Sequence, residues 1–151
     1  MIKQVTKLKT IHIILSVIRY TLYAKIMSET YIIRVEARFE AAHNLREYYG
    51  KPEPLHGHSW KVEAKFRCDK LNHEDFGVDY VVVEKAIRDL AKRFDHVYIN
   101  EVPPFDKMNP TSENIAKWFY QELDKPEVRQ EYVLEEVVVW EGPEAYVAYR
   151  V

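Results

Sequence analysis

Residues 31–43 read YIIRVEARFEAAH, with Ile33, Val35, Ala37 and Phe39 alternating against Arg34, Glu36, Arg38 and Glu40. A period of two, apolar against charged, is the pattern of a strand that buries one face and wets the other. The alternation returns over 58–68 through Trp60, Val62, Ala64, Phe66 and Cys68, after a loop rich in Tyr, Gly and Pro from Tyr48 to Leu55. The two strands are expected to pair. Cys68 falls on the apolar register, which favours a buried structural thiol over a nucleophile.

Working outward, Asp79 is placed to cap a helix over Tyr80 to Phe94, with Val83, Ile87, Leu90, Ala91 and Phe94 on one face. Asp95 to Pro110 holds three prolines and no period, and reads as a loop. Thr111 or Ser112 caps a second helix to about Leu123, with Ile115, Ala116, Phe119 and Leu123 inward. Two strands close the chain, 132–140 and 145–151, around a turn at Glu141-Gly142-Pro143-Glu144. The order ββααββ predicts an α+β fold: a four-stranded antiparallel sheet with both helices on one face. Its strand edges call for cover, so a homo-oligomer is expected.

At 151 residues, 47% hydrophobic and 30% charged, the chain has the make-up of an ordinary globular domain. A net charge of -2 argues against a general nucleic-acid binder. One cysteine excludes an intrachain disulfide and points to a reducing compartment, the cytoplasm. Residues 1–30 stand apart as an extension before a domain over 31–151. The apolar run 11–18 is too short to span a membrane. Ile11, Ile14, Leu15, Ile18 and Leu22 would share one helical face; a secretory signal is the weaker reading, since no small-x-small cleavage site follows. Translation starting at Met27 is a third reading, about as strong as a real extension.

The sharpest chemical signal is Leu55-His56-Gly57-His58. Histidines at i and i+2 of an extended segment share a side, and His43 ends the strand expected alongside. Three imidazoles from adjacent strands suit a zinc ion with one position open. On motif specificity alone, two solvated loop histidines and one core histidine is the stronger reading. Glu53 lies between Pro52 and Pro54, a stiff setting for a general base or for an ordinary surface carboxylate. Asp95-His96 follows the first helix, where an Asp can orient a His, although helix-end histidines also occur for dipole reasons. Glu141 ends an apolar strand and suits a guanidine-like N–C–N edge, or is simply an exposed turn residue.

Taken in order, Phe39-Glu-Ala-Ala-His43, Glu53-Pro-Leu-His56-Gly-His58, Phe94-Asp95-His96, Asn109-Pro-Thr-Ser-Glu113-Asn114 and Val139-Trp140-Glu141 resemble the 6-pyruvoyl-tetrahydropterin synthase family, which includes the 6-carboxy-tetrahydropterin synthases of the queuosine pathway. Each motif is weak alone, and the set is specific. The resemblance implies the tunnelling fold, with trimers closing a barrel, stacked pairs of trimers, and pterin sites between subunits. It implies zinc on His43, His56 and His58, proton transfer by Asp95 and His96, and a pterin ring anchored by Glu141 with Thr111 and Ser112.

One departure bears on subtype. The pyruvoyl and carboxy synthases carry a catalytic cysteine shortly before HGH, whereas Tyr48 to Leu55 has none and Glu53 opens an E-x-x-H-G-H pattern. That pattern is similar to the branch that makes 6-hydroxymethyl-7,8-dihydropterin for folate or a related pathway. The implied reaction is a retro-aldol cleavage of 7,8-dihydroneopterin or its phosphate, with Glu53 as base, His96 supported by Asp95 as acid, and zinc acidifying the hydroxyl. Two alternatives stand beside it. One is a 6-carboxy- or 6-pyruvoyl-tetrahydropterin synthase acting on the triphosphate; the other is a non-catalytic zinc- and pterin-binding oligomer.

Overall fold

The computed structural model describes residues 13–21, 29–126, 128 and 132–151. The chain divides into two compact units, Met1–Thr30 and Tyr31–Val151. In the first, residues 13–21 are helical (α1). Ile14, Leu15 and Ile18 of the expected apolar face are exposed there, as are Ile13, Val17 and Tyr20. Ile11, Leu22 and Met27 lie outside the described residues. Among the described residues no helix is long and apolar enough to cross a membrane.

The second unit contains β1 (Tyr31–His43), β2 (His56–Cys68), α2 (Tyr80–Lys92), β3 (Val97–Tyr98), α3 (Ser112–Leu123), β4 (Val133–Gly142) and β5 (Ala145–Tyr149). The expected four-stranded antiparallel sheet is corrected to a five-stranded mixed one, in the order β3-β1-β2-β4-β5. The four long strands are antiparallel to their neighbours. The fifth comes from the Pro-rich segment expected as loop: Val97 and Tyr98 run parallel to Ala41 and Ala42. The His96 amide donates to the Glu40 carbonyl at 2.6 Å, bringing that segment onto the β1 edge. Two residues are too few to leave a period in the sequence.

Caps and ends follow local chemistry. The Asp79 carboxylate accepts from the Val81 amide, and the Thr111 hydroxyl from the Asn114 amide. α2 stops at Lys92 rather than Phe94; Arg93 caps it, and Phe94 turns inward to full burial. β4 runs on to Gly142, so Glu141 is a strand residue and not the first residue of a turn.

Both helices cover one face of the sheet, α2 over β1 and β2, α3 over β4 and β5. Beneath them Val35, Ala37, Phe39, Trp60, Val62, Ala64, Phe66, Val137 and Val139 are buried, with Phe94, Phe105 and Phe119. Phe39 stacks on Trp60 at 5.9 Å between centroids, and Phe94 meets Trp118 edge-on at 4.9 Å. Each fully buried aromatic contributes roughly 1.5–3 kcal/mol, against about 1 kcal/mol net for a typical hydrogen bond. Packing therefore decides the fold, and leaves the polar groups at the sheet's end to organise a site.

Candidate active site

The site is the terminal layer of the core. On β1 the inward row Val35, Ala37, Phe39, Ala41 ends in His43, and on β2 the row Phe66, Ala64, Val62, Trp60 ends in His58 and His56. The register pairs His43 directly with His56, and Ala41 with His58. On β4 the inward row Val137, Val139 ends in Glu141, beside a bulge between Trp140 and Gly142. Strand parity together with this register thus brings three imidazoles and a carboxylate to one end of one face.

Their ligand atoms all lie within 4.8 Å of one another. His43 Nε2 stands 3.1 Å from His56 Nε2 and 3.0 Å from Glu141 Oε1, and His58 Nε2 stands 3.2 Å from the same oxygen. The outer nitrogens are committed elsewhere: His43 Nδ1 lies 2.9 Å from the Pro110 carbonyl, and His56 Nδ1 2.9 Å from that of Pro54. A carbonyl only accepts, so it holds the proton on Nδ1 and leaves a lone pair on each Nε2. Two lone pairs and a carboxylate oxygen then face one point. His58 Nε2 is buried there with no well-formed hydrogen bond. Such a set of acceptors needs a cation. The residues fit a divalent metal held by His43, His56 and His58, with Glu141 Oε1 beside it.

The electrostatics agree. Burial lowers the pKa of His58, outweighing the attraction of Glu141, and keeps it a neutral donor. Burial also opposes charge on His43, but the hydrogen bonds to Glu141 and Pro110 outweigh it and its pKa is raised. In the metal-free chain a proton on His43 is thereby favoured, standing where a cation would. Chiefly through the His43 contact, the Glu141 carboxyl is held down at about 2.

Beside the cluster opens a cleft of about 400 Å³ lined by His43, Glu53, Thr111, Ser112, Glu141 and Tyr146, among others. The structure thus gathers Glu53 and all three expected pterin-binding residues around one volume. Ser112 Oγ donates to Glu141 Oε2 at 2.9 Å, while the Thr111 hydroxyl accepts from the Asn114 amide at 3.2 Å. The Glu53 carboxylate accepts from the Leu45 amide at 3.1 Å.

Asp95 and His96 do not join that cleft. Asp95 Oδ1 accepts from the Glu40 amide and lies 3.0 Å from His96 Nδ1. The Glu40 amide first, then His96, lowers the pKa of Asp95. His96 has a left-handed φ of 57°, strained for a residue with a side chain, and its imidazole is 77% exposed. It lines a separate, open hollow with Gly57, His58 and Ser59.

Sequence reasoning missed the residues that hold this frame: Asn44, Arg46, Tyr98, Asn100 and the Pro110 carbonyl. Their partners are 54 to 67 residues away and largely backbone, so no local pattern announces them. Glu141's place beside the histidines was findable, since it continues the odd-numbered row Val137, Val139.

An α+β domain whose central strands end in a three-histidine, one-carboxylate centre beside a polar cleft defines a metal-competent small-molecule enzyme. The chain belongs to the 6-pyruvoyl tetrahydropterin synthase family, whose model matches residues 32–151. A 6-carboxy-5,6,7,8-tetrahydropterin synthase of Synechocystis is 34% identical over 100 residues, covering 63% of this chain and 76% of that protein. A dihydroneopterin monophosphate aldolase of Pyrococcus furiosus is 29% identical over 108 residues, covering 72% of this chain and 87% of that protein. The 6-pyruvoyl tetrahydropterin synthase of Caenorhabditis elegans shares the fold, with a TM-score of 0.67 at 22% identity over 82% of this chain and 96% of that one.

Proposed function

We propose that the protein is a zinc-dependent pterin lyase that cleaves the side chain of 7,8-dihydroneopterin, or a phosphate of it, to 6-hydroxymethyl-7,8-dihydropterin. The observation that carries this reading is the position of Glu53 in the same cleft as His43 and Glu141, with no cysteine there. Cys68 is buried at the opposite end of β2, about 40 Å from His56 at the usual rise per strand residue. The segment 48–55, where a synthase of this family would carry its catalytic cysteine, has none. The resemblance to a dihydroneopterin monophosphate aldolase supports the same direction.

In this reaction Glu53 takes the proton of the 2′-hydroxyl, the C1′–C2′ bond breaks, and C2′ leaves as the aldehyde carbon of glycolaldehyde or its phosphate. The bond's electrons pass into the dihydropterin C=N, and a proton returned to C1′ completes the hydroxymethyl group. Zinc on His43, His56 and His58 would acidify the side-chain hydroxyl. Glu141, charged down to about 2, is suited to the paired N–H donors of the pterin ring, with Ser112 orienting it. His96, oriented by Asp95, is the acid. Because its exposed imidazole lies outside the cleft, it serves the cleft of a neighbouring subunit in a homo-oligomer. Location in the cytoplasm and a domain over 31–151 belong to the same reading.

A second reading, a 6-carboxy-tetrahydropterin synthase acting on the triphosphate, is favoured by the Synechocystis relative. Incubation of zinc-loaded protein with dihydroneopterin, its monophosphate and its triphosphate, with products identified by mass spectrometry, decides between them. Hydroxymethyl-dihydropterin with glycolaldehyde or its phosphate is expected; a carboxy- or pyruvoyl-pterin from the triphosphate would overturn the aldolase reading. Glu53→Gln is expected to lower aldol turnover by roughly 10²–10⁴-fold with zinc retained. Bound pterin with no product from any substrate would establish the non-catalytic alternative.

A further inference from the structure

Arg46 takes no part in the centre described above, yet it is the most heavily engaged side chain beside it. Its guanidinium donates to three backbone carbonyls of one loop: Met108 at 2.7 Å, Asn100 at 2.9 Å and Phe105 at 2.5 Å. Its own amide donates to Asn109 Oδ1 at 2.9 Å. None of these partners is a carboxylate. A guanidinium in such a ring is a bracket between two stretches of chain, and its rigid fork of donors suits that use.

The bracket is doubled at Asn44. The Asn44 amide donates to Asn100 Oδ1 at 3.1 Å, and Asn100 Nδ2 returns a bond to the Asn44 carbonyl at 2.8 Å. Tyr98 Oη donates to Asn44 Oδ1 at 2.5 Å. Asn44 Nδ2 in turn donates to the Glu53 carbonyl at 2.9 Å. Between the two brackets lies Leu45. Its amide holds Glu53 Oε2 at 3.1 Å, and its carbonyl accepts from the Glu53 amide at 3.0 Å.

Glu53 therefore sits on a short surface loop, but its carboxylate is located by an amide clamped on both sides to the 98–109 segment. That same loop runs on to Pro110, whose carbonyl orients His43. One frame thus sets the carboxylate and the histidine relative to each other. Displacing a reacting group by 1 Å can cost on the order of 10²-fold in rate.

We propose that Arg46 and Asn44 are positioning residues for Glu53, locking the Leu45 amide to the 98–109 loop so that the carboxylate is held beside the histidine cluster. This rests on the reading of Glu53 as the base. In zinc-loaded Arg46→Ala and Asn44→Ala proteins, kcat for aldol cleavage falls about 10–100-fold. KM stays within about two-fold, and zinc content is unchanged, because neither residue touches metal or substrate. Arg46→Lys, which keeps the charge but cannot span three carbonyls, behaves like Arg46→Ala. In a Glu53→Gln background the same changes cost nothing further, since the group they position is gone. Hydrogen exchange of the peptide spanning 44–54 shows lost protection, independently of turnover.

Native kcat in a folded Arg46→Ala protein overturns the proposal. So does a loss that persists undiminished in the Glu53→Gln background, or one that takes zinc content and KM with it. If Arg46→Ala fails to fold, Asn44→Ala, which removes two side-chain hydrogen bonds, and Tyr98→Phe, which removes one, make the same comparison. Full turnover by Glu53→Gln would instead overturn the base assignment itself, whereas inactive Glu53→Gln beside fully active Arg46→Ala overturns only the positioning.

Discussion

One inward row of β2 runs from His56 through His58, Trp60, Val62, Ala64 and Phe66 to Cys68, and both of its ends carry a residue type that binds metals. At the histidine end, backbone carbonyls of Pro54 and Pro110 fix the ring tautomers, and strands β1 and β4 deliver His43 and Glu141 to the same point. At the other end Cys68 is packed against Gly77 so closely that a Cβ on that glycine would come within 1.9 Å of Sγ. Among the described residues the only grouping able to hold a metal is the histidine one. Residue type is therefore not what makes a site. Convergence from several strands, with ring tautomers set by backbone carbonyls, is.

The largest effect that tests this contrast is metal binding. His58→Ala is expected to cut bound zinc, measured by mass spectrometry of the metal, at least ten-fold and to abolish turnover, because two imidazoles hold zinc far more weakly than three. Cys68→Ala should leave zinc and turnover within about two-fold. Equal losses from both would erase the distinction between the two ends.

Next in size is the packing at the cysteine end. Gly77→Ala is expected to lower stability by about 1–3 kcal/mol, since the added methyl overlaps Cys68 Sγ. Cys68→Ala should restore most of that loss when combined with it, as read from denaturant midpoints. A double variant as unstable as Gly77→Ala would mean that the strain lies elsewhere.

The smallest effect is the pH response of the metal-free chain. Glu141, held at about 2 against an ordinary 4.5, adds stability that is present above its unfolded value and lost as the pH falls from about 5 toward 2. His43, with its pKa raised, adds stability that is present below an ordinary 6.5 and lost as the pH rises through its folded value. His58, with its pKa lowered by burial, acts against His43, losing stability as the pH falls below an ordinary 6.5. The acid limb belonging to Glu141 is therefore the clean test: Glu141→Gln should shrink the fall in melting temperature between about pH 5 and 2. Added zinc is expected to raise the melting temperature more at neutral than at acid pH, because a metal binds unprotonated imidazole. An acid limb unchanged by Glu141→Gln would show that the His43–Glu141 contact does not form.

Much of this was written in local pattern. Alternation placed β1 and the inward row of β2, Asp79 and Thr111 marked their helices, and the HGH motif with His43 pointed to the metal cluster. Each of these depends on residues within a few positions of one another, or on strand parity, and both survive into the fold unchanged. What lay beyond reach were pairings across the chain. The parallel contact of Val97 and Tyr98 with β1, Arg46's capture of three carbonyls, and the separation of Asp95–His96 from the cleft all join segments some 55 residues apart. The sequence by itself determined which side chains face inward, because the pleat repeats every two residues. Only the tertiary structure decided which of them meet, because backbone carbonyls and strand neighbours carry no residue code of their own.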